Sequence, residues 1–238
     1  MPLNTLPASP EPRARSGFTL IELMIVLAVI GVLLVVAAAS MIEGNRNAQL
    51  KAKVREVADV MQVARAEAIR TNDNQVIFFG NPGTTDPSLT PVEVGGTWVP
   101  VLHIDDGPNA TADCAIAAGE AEHWVKADVD GLNWGVSSAT TKVPADAGAA
   151  PFDPAGPPAW DGATFADTTS TKINWMMFRP DGIPRVFSGA IGSCGTVSAV
   201  GQGGGALYIT NGERDYAVVI TPLGGVRVHS WNGSNWSS

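Results

Sequence analysis

Glu22 is the residue whose chemistry most needs explaining. From Leu23 to Ile42 the chain runs twenty residues without a charge, and Ser40 is the one strongly polar side chain among them. A carboxylate at the mouth of such a run costs about 1–3 kcal/mol and normally signals a function. Three readings compete for the segment. It can be a secretory signal with Ala37-Ala38-Ala39 as its small-residue cleavage site, or a plain single-span anchor. Neither gives Glu22 a task. The third reading gives Glu22 a cationic partner inside apolar surroundings, where the Coulomb attraction is large.

Other residues with chemical potential are few. His103, His123 and His229 fall on separate candidate strands with no metal-ligand spacing, so ordinary strand positions are expected. Asp105-Asp106 and Asp128-Val129-Asp130 have the oxygen donors calcium takes, but paired aspartates are equally at home in solvated turns. A nucleophile elbow, a P-loop and a Cys-x-x-Cys pair are all missing from the sequence. No catalytic residue, metal or cofactor is therefore expected, and the chain is not read as an enzyme. Cys114 and Cys194 are the two cysteines. Bridged, they close about 80 residues and contribute at most roughly 4–5 kcal/mol. The alternative is two free thiols in loops too far apart to meet.

The elements that position these residues follow from periodicity. Twenty apolar residues at 1.5 Å each make ~30 Å of helix, the thickness of a bilayer's hydrocarbon core. Arg13 and Arg15 precede the run and stay cytoplasmic by the positive-inside rule, which sends the C-terminal body outward, where disulfides persist. Beyond Ile42 the positions Leu50, Val54, Val57, Met61, Ala64 and Ala68 alternate steps of four and three, one apolar stripe on a helix. Charged residues take its other faces, and Asn72-Asp73-Asn74 ends it, with Gly44-Asn45 as a place to bend. One helix from Phe18 to Arg70 would span ~80 Å.

After residue 74 short runs rich in β-branched and aromatic residues lie between Gly, Pro and Asp. Strands are expected at Gln75–Phe79, Thr97–Ile104, Glu122–Ala127, Lys172–Arg179, Arg185–Ser188, Leu207–Thr210, Tyr216–Thr221 and Val226–Trp231. Pro180-Asp181-Gly182 and Asn211-Gly212 are turn signals, and no crossover helix separates the runs, so the strands pair as antiparallel hairpins. Pro144–Ala166, loaded with Pro, Ala, Gly and Asp, reads as a long surface insertion, and Gly201–Gly205 as a flexible loop. The fold class expected is α+β, a long N-terminal helix packed on an antiparallel sheet. The domains are a leader 1–17, a transmembrane or filament-core helix 18–42, an amphipathic helix 43–72, and a β-rich periplasmic domain 73–238 with an insertion at about 144–171.

Gly17-Phe18-Thr19-Leu20-Ile21-Glu22 resembles the type IV prepilin processing site. The resemblance implies that a prepilin peptidase cuts between Gly17 and Phe18, that Phe18 becomes N-methylated, and that Glu22 is the fifth mature residue. The amine released has an ordinary pKa near 8 and is mostly cationic at neutral pH. Glu22 can then dock on the Phe18 amine of a neighbouring subunit. Further along, Thr97-Trp98-Val99 leading to Ile104-Asp105, Ile173 through Gly182, and Tyr216 through Val228 are similar to successive strands of the GspH/FimT family. These are minor pseudopilins of type II secretion and minor pilins of type IV pili. The resemblance implies other pilins and an inner-membrane assembly platform as partners. It also implies an inner-membrane, single-pass location before assembly into a filament, near whose tip the subunit sits as an assembly or priming component. Two departures stand out. The stretch Val35–Ser40 lacks the proline many relatives carry, and Gly224-Gly225-Val226-Arg227 keeps one arginine of a Gly-Arg-x-Arg ending found in members that bind DNA.

Charge bears on that last point. The formal net charge is −8, and residues 71–238 carry seven basic side chains against seventeen acidic ones. Such a body repels a phosphate backbone, whose binding depends on Lys and Arg displacing counterions. A DNA-capturing minor pilin for natural transformation is thus the lesser alternative, and nucleic acid an unlikely partner. The 45% hydrophobic content excludes a chain disordered by composition.

Overall fold

Helix α1 begins at Leu20, immediately after a threonine, and closes at Thr71, where Asn72 takes a left-handed turn with φ 61°. Both ends have a chemical cause. Threonine accepts hydrogen bonds from orphan amides at the start, and Asn tolerates positive φ at the end. The 52 helical residues run through Gly44-Asn45 without the interruption those residues suggested. The computed structural model describes residues 18–79, 92–94, 97–99, 101–105, 114, 120–125, 133–154, 162–189 and 195–238. Side chains are described at all of these except 35–42, 92–94, 97–99, 121, 122 and 124.

The chain divides into two units, Met1–Gly44 and Asn45–Ser238. In the first, the chain is helical from Leu20 on and mostly apolar, and every large apolar side chain from Phe18 to Leu34 is at least 45% exposed. The exposure runs round the whole helix and is not confined to one face. Among the described residues no helix is long and apolar enough to cross a membrane. The span expected over 18–42 lies only in part within the described side chains. Apolar side chains are described from Leu20 to Leu34, about 22 Å of helix against the ~30 Å a bilayer core needs. Residues 35–42 are helical in backbone, with side chains outside the described set.

The second unit holds the strands. They are β1 (Gln75–Phe79), β2 (Val92–Val94), β3 (Thr97–Val99), β4 (Val101–Asp105), β5 (Ala121–Val125) and β6 (Asn133–Trp134). Then follow β7 (Trp175–Phe178), β8 (Pro184–Arg185), β9 (Gly205–Thr210), β10 (Asp215–Ile220), β11 (Val226–Trp231) and β12 (Trp236–Ser237). They form two five-stranded sheets, ordered β5-β4-β1-β7-β8 and β12-β11-β10-β9-β6, with β2 and β3 as a separate ribbon. Every pairing is antiparallel, as expected from hairpins. The class is α+β. The single sheet anticipated is corrected to two, because a period-two pattern marks strands but not which of them pair.

The apolar stripe of α1 is the core's spine. Leu50, Val54, Met61, Ala64 and Ala68 are wholly buried and Val57 nearly so, in one cluster with Val76, Phe78, Leu102, Trp175, Ile209 and Val218 from both sheets. Each large residue so buried contributes about 1.5–3 kcal/mol. Polar contacts fix the helix along its length. Asn211 in the β9–β10 turn donates its Nδ2 to Asn47 Oδ1 at 2.9 Å. Near the other end Arg65 donates Nε to Gly182 O at 2.9 Å and Nη2 to Leu223 O at 3.4 Å, gripping the β7–β8 and β10–β11 turns. Gly182 and Gly224 in those turns have φ of 69° and 83°, which a side chain would oppose.

Two loop readings are corrected. The described parts of 144–171 lie only partly at the surface: Pro144, Ala147, Pro151 and residues 168–171 are exposed, whereas Ala150, Ala163, Thr164 and Phe165 are buried, Phe165 stacks on Phe79, and Ala163 bridges to Leu207 of β9. Small residues there serve close packing. Within Gly201–Gly205 the last three glycines are buried, and a Cβ at Gly205 would stand 2.5 Å from the Phe165 ring. Close approach, not flexibility, selects glycine at that point.

A second, smaller cluster joins Val136, Ala139 and Val143 to Ala206, Tyr208, Ala217, Val219 and Trp231. Buried polar links staple it. Asp146 accepts from Gly148 N, Thr164 Oγ1 and the Tyr208 hydroxyl at 2.8–3.0 Å, and Tyr208 accepts from Val143 N at 3.0 Å. Burial raises the Asp146 carboxyl above its ordinary range despite those donors and Lys142, and burial beside Asp146 raises the Tyr208 hydroxyl. Asp215 is the opposite case. Burial pushes it up, but donors on Thr210, Ser137 and Ser138 outweigh that and hold it low. Its oxygens take bonds from the amides of Ser137, Ser138 and Ala139 at 2.7–2.8 Å.

Candidate processing and docking site

The N-terminal hexapeptide is described from Phe18 onward, and Gly17 lies outside the described residues. Thr19 is the helix cap. Its Oγ1 accepts from Glu22 N at 3.3 Å and its carbonyl from Leu23 N at 3.2 Å. Glu22 thus occupies the third helical position after a capping threonine, the spacing of a capping box, and its carboxylate lies in the first turn. The sequence reading weighed Glu22 as an insertion cost and a docking group, not as a cap. The helix supplies a local return, because an anion there complements the positive end of the macrodipole by about 0.3–1 kcal/mol.

The same dipole acts on Phe18, one residue outside the cap and 81% exposed. A cationic amine at that point meets the positive helix end unfavourably, and a carboxylate in the first turn is the group that offsets it. Around the two residues the surface is apolar. Leu20, Ile21, Leu23, Met24 and Ile25 are each more than half exposed. Charged groups placed in such surroundings, once covered, are screened little and demand each other.

The remaining expected site residues separate. Cys114 is buried and disulfide-bonded, with φ 53°. Cys194 lies outside the described residues. Asp105 accepts from Gln75 Nε2 at 2.7 Å, while Asp106, Asp128 and Asp130 lie outside the described residues. Arg227 is exposed on β11, beyond the Gly224 turn. Among the described residues no three His, Cys, Asp or Glu side chains gather as a metal centre.

The histidines are the surprise. His103 on β4 and His123 on β5 stand directly opposite in register, their ring centres 5.8 Å apart. His229 stays on β11, lowered by burial and then by Arg227. A spacing of twenty residues carries no ligand signature, so only strand pairing could have joined the first two.

No curated protein and no solved structure is similar enough to match the chain. Residues 12–38 do match a family model, that of the prokaryotic N-terminal methylation motif. The match spans the basic leader, the Gly17-Phe18 junction, Glu22 and most of the apolar run, so the chain carries the N-terminal signal of type IV pilin-like proteins.

Proposed function

We propose that this protein is a minor pseudopilin or minor pilin of GspH/FimT type, a non-enzymatic structural subunit of a type II secretion pseudopilus or a type IV pilus. The observation that carries the reading is the methylation motif over 12–38 lying on a helix whose apolar residues are bare all round. A helix apolar on every side needs a bilayer or other helices to cover it. A pilin-like subunit meets both in turn, first the inner membrane and then the filament core. Prepilin peptidase cuts between Gly17 and Phe18, Phe18 is methylated, and the C-terminal domain lies in the periplasm. Other pilins of the filament and the assembly platform are the partners, and the subunit acts near the tip or in priming assembly.

Glu22 is the docking residue in this account. Replacing it by leucine leaves membrane insertion intact or improved, since the carboxylate's insertion cost disappears. Assembly falls nonetheless, because an unpaired amine in an apolar core costs about 3–5 kcal/mol. Glu22→Gln is intermediate. Crosslinking of each variant to partner pilins in the membrane measures this, and full crosslinking by Glu22→Leu would remove the docking role.

A further inference from the structure

We propose that His103 and His123 form a two-histidine site for a divalent transition-metal cation of the zinc and copper class, with water completing the coordination. Three features of sheet β5-β4-β1-β7-β8 point there. The first is placement. The two residues are cross-strand partners with ring centres 5.8 Å apart and planes 26° apart. Two imidazoles on one tetrahedral ion, at about 2.0 Å per nitrogen, put their ring centres about 5–6 Å apart. The β4–β5 register slips between His103 and Ile104, leaving Glu122 as the extra residue. A bulge beside a pair is a means of re-aiming a side chain.

The second feature is the tautomer. Asp105 Oδ1 accepts from Gln75 Nε2 at 2.7 Å, which leaves Gln75 Oε1 as an acceptor. That oxygen lies 2.5 Å from His103 Nε2, so the ring must carry its proton on Nε2. A carboxylate–amide–imidazole chain of this kind is what orients metal-ligating histidines and makes the other nitrogen a better donor. The lone pair is then on Nδ1.

The third feature is that Nδ1 has nothing to bind. His103 is fully buried, and its Nδ1 has no hydrogen-bond partner among the described residues. An unmet buried acceptor is unfavourable, and a cation or a proton donor would relieve it. Burial and the neighbouring His123 keep the ring neutral, the form that binds metal. His123 is exposed and lines a surface depression with Arg55, Glu56 and Asp59 of α1, so the outer member of the pair is open to solvent. Soft-to-borderline ions that favour imidazole fit this pair, whereas Ca²⁺ and Mg²⁺, which need several oxygens, do not.

The test is chelator competition on the untagged full-length chain in detergent, with Zn²⁺ and Cu²⁺ as the probes. One equivalent binds, Cu²⁺ more tightly than Zn²⁺. His123→Ala, a change at an exposed residue, weakens binding by about tenfold or more, and Gln75→Leu, which frees the orienting bond, by about 10–100-fold. His229→Ala leaves it unchanged. Cu²⁺ electron paramagnetic resonance shows two coupled nitrogens in the native chain and fewer in His123→Ala. Equal binding by native chain and His123→Ala, or none up to millimolar metal, overturns the site.

Discussion

Glu22 and His103 show how differently one ionisable side chain behaves at a helix start and in a sheet. Glu22 is exposed and lies in the first turn of α1, where the proposed function has it offer its charge to an amine. His103 is sealed, and burial, then His123, lowers its pKa from 6.5 to about 4, with Glu67 opposing. A histidine depressed in the folded state stays neutral there while the unfolded chain takes up a proton. Stability is therefore unaffected by this group above pH 6.5 and falls as pH drops from 6.5 towards 4, by about 3 kcal/mol at most. Proton NMR of the imidazoles in metal-free protein checks it. His103 holds its neutral shift down to about pH 4; a His103 midpoint near 6.5 would contradict the buried environment.

Among the elements, Arg65 is the contact that ties one helix to two hairpins. Its guanidinium serves carbonyls at Gly182 and Leu223, in turns that belong to different sheets. Arg65→Ala leaves both carbonyls short of a donor, at a cost of about 1–3 kcal/mol. Arg65→Met, which keeps the apolar stem, separates lost packing from lost hydrogen bonds. Thermal unfolding should show both variants lowered, alanine more, by roughly 2–4 °C per kcal/mol. Equal stability of all three forms would mean that the turns hold themselves. How far such elements could be read beforehand varied with what specifies them. The α1 stripe was legible because six apolar positions at steps of three and four have one helical explanation, and all six are buried. Strands β1 and β11 were legible to the residue, and the Pro180-Asp181-Gly182 and Asn211-Gly212 turns fell where their backbone chemistry places them. Strands β2, β6 and β12 were not, being two or three residues long, too short for alternation to register. Pairing was hidden for a deeper reason. Residue types at 133–134 hold no record that β6 closes onto β9, or that Phe165 fills the space left at Gly205. At the candidate site, Glu22 stood out as a lone charge in an apolar run. The capping bond from Thr19 was equally present in the spacing and went unweighed, while the His103–His123 pair exists only through strand register.

At the scale of the whole molecule the two units have opposite surfaces. Residues 71–238 are strongly acidic and bury their apolar side chains, whereas the first unit leaves its own bare. On the function proposed, a bilayer or a filament covers that bare helix. Covalent closure adds to the second unit. Cys114 is disulfide-bonded, and Cys194 is the other cysteine of the sequence. Thiol labelling of unfolded protein, without reductant, is expected to modify neither cysteine, and peptide mapping to join 114 to 194. Labelling of both residues would end that pairing. With the bridge reduced, unfolding shifts down by at most roughly 4–5 kcal/mol.

The central claim is that residues 12–38 are read by a processing enzyme as a pilin-type leader and helix. Mass spectrometry of the protein isolated from its own membrane tests this most directly. The account predicts a mature chain that begins at Phe18 and is heavier there by one methyl group, with Gly17→Val retaining residues 1–17. A mature N-terminus at Ser40, or an intact leader on the native sequence, would contradict it.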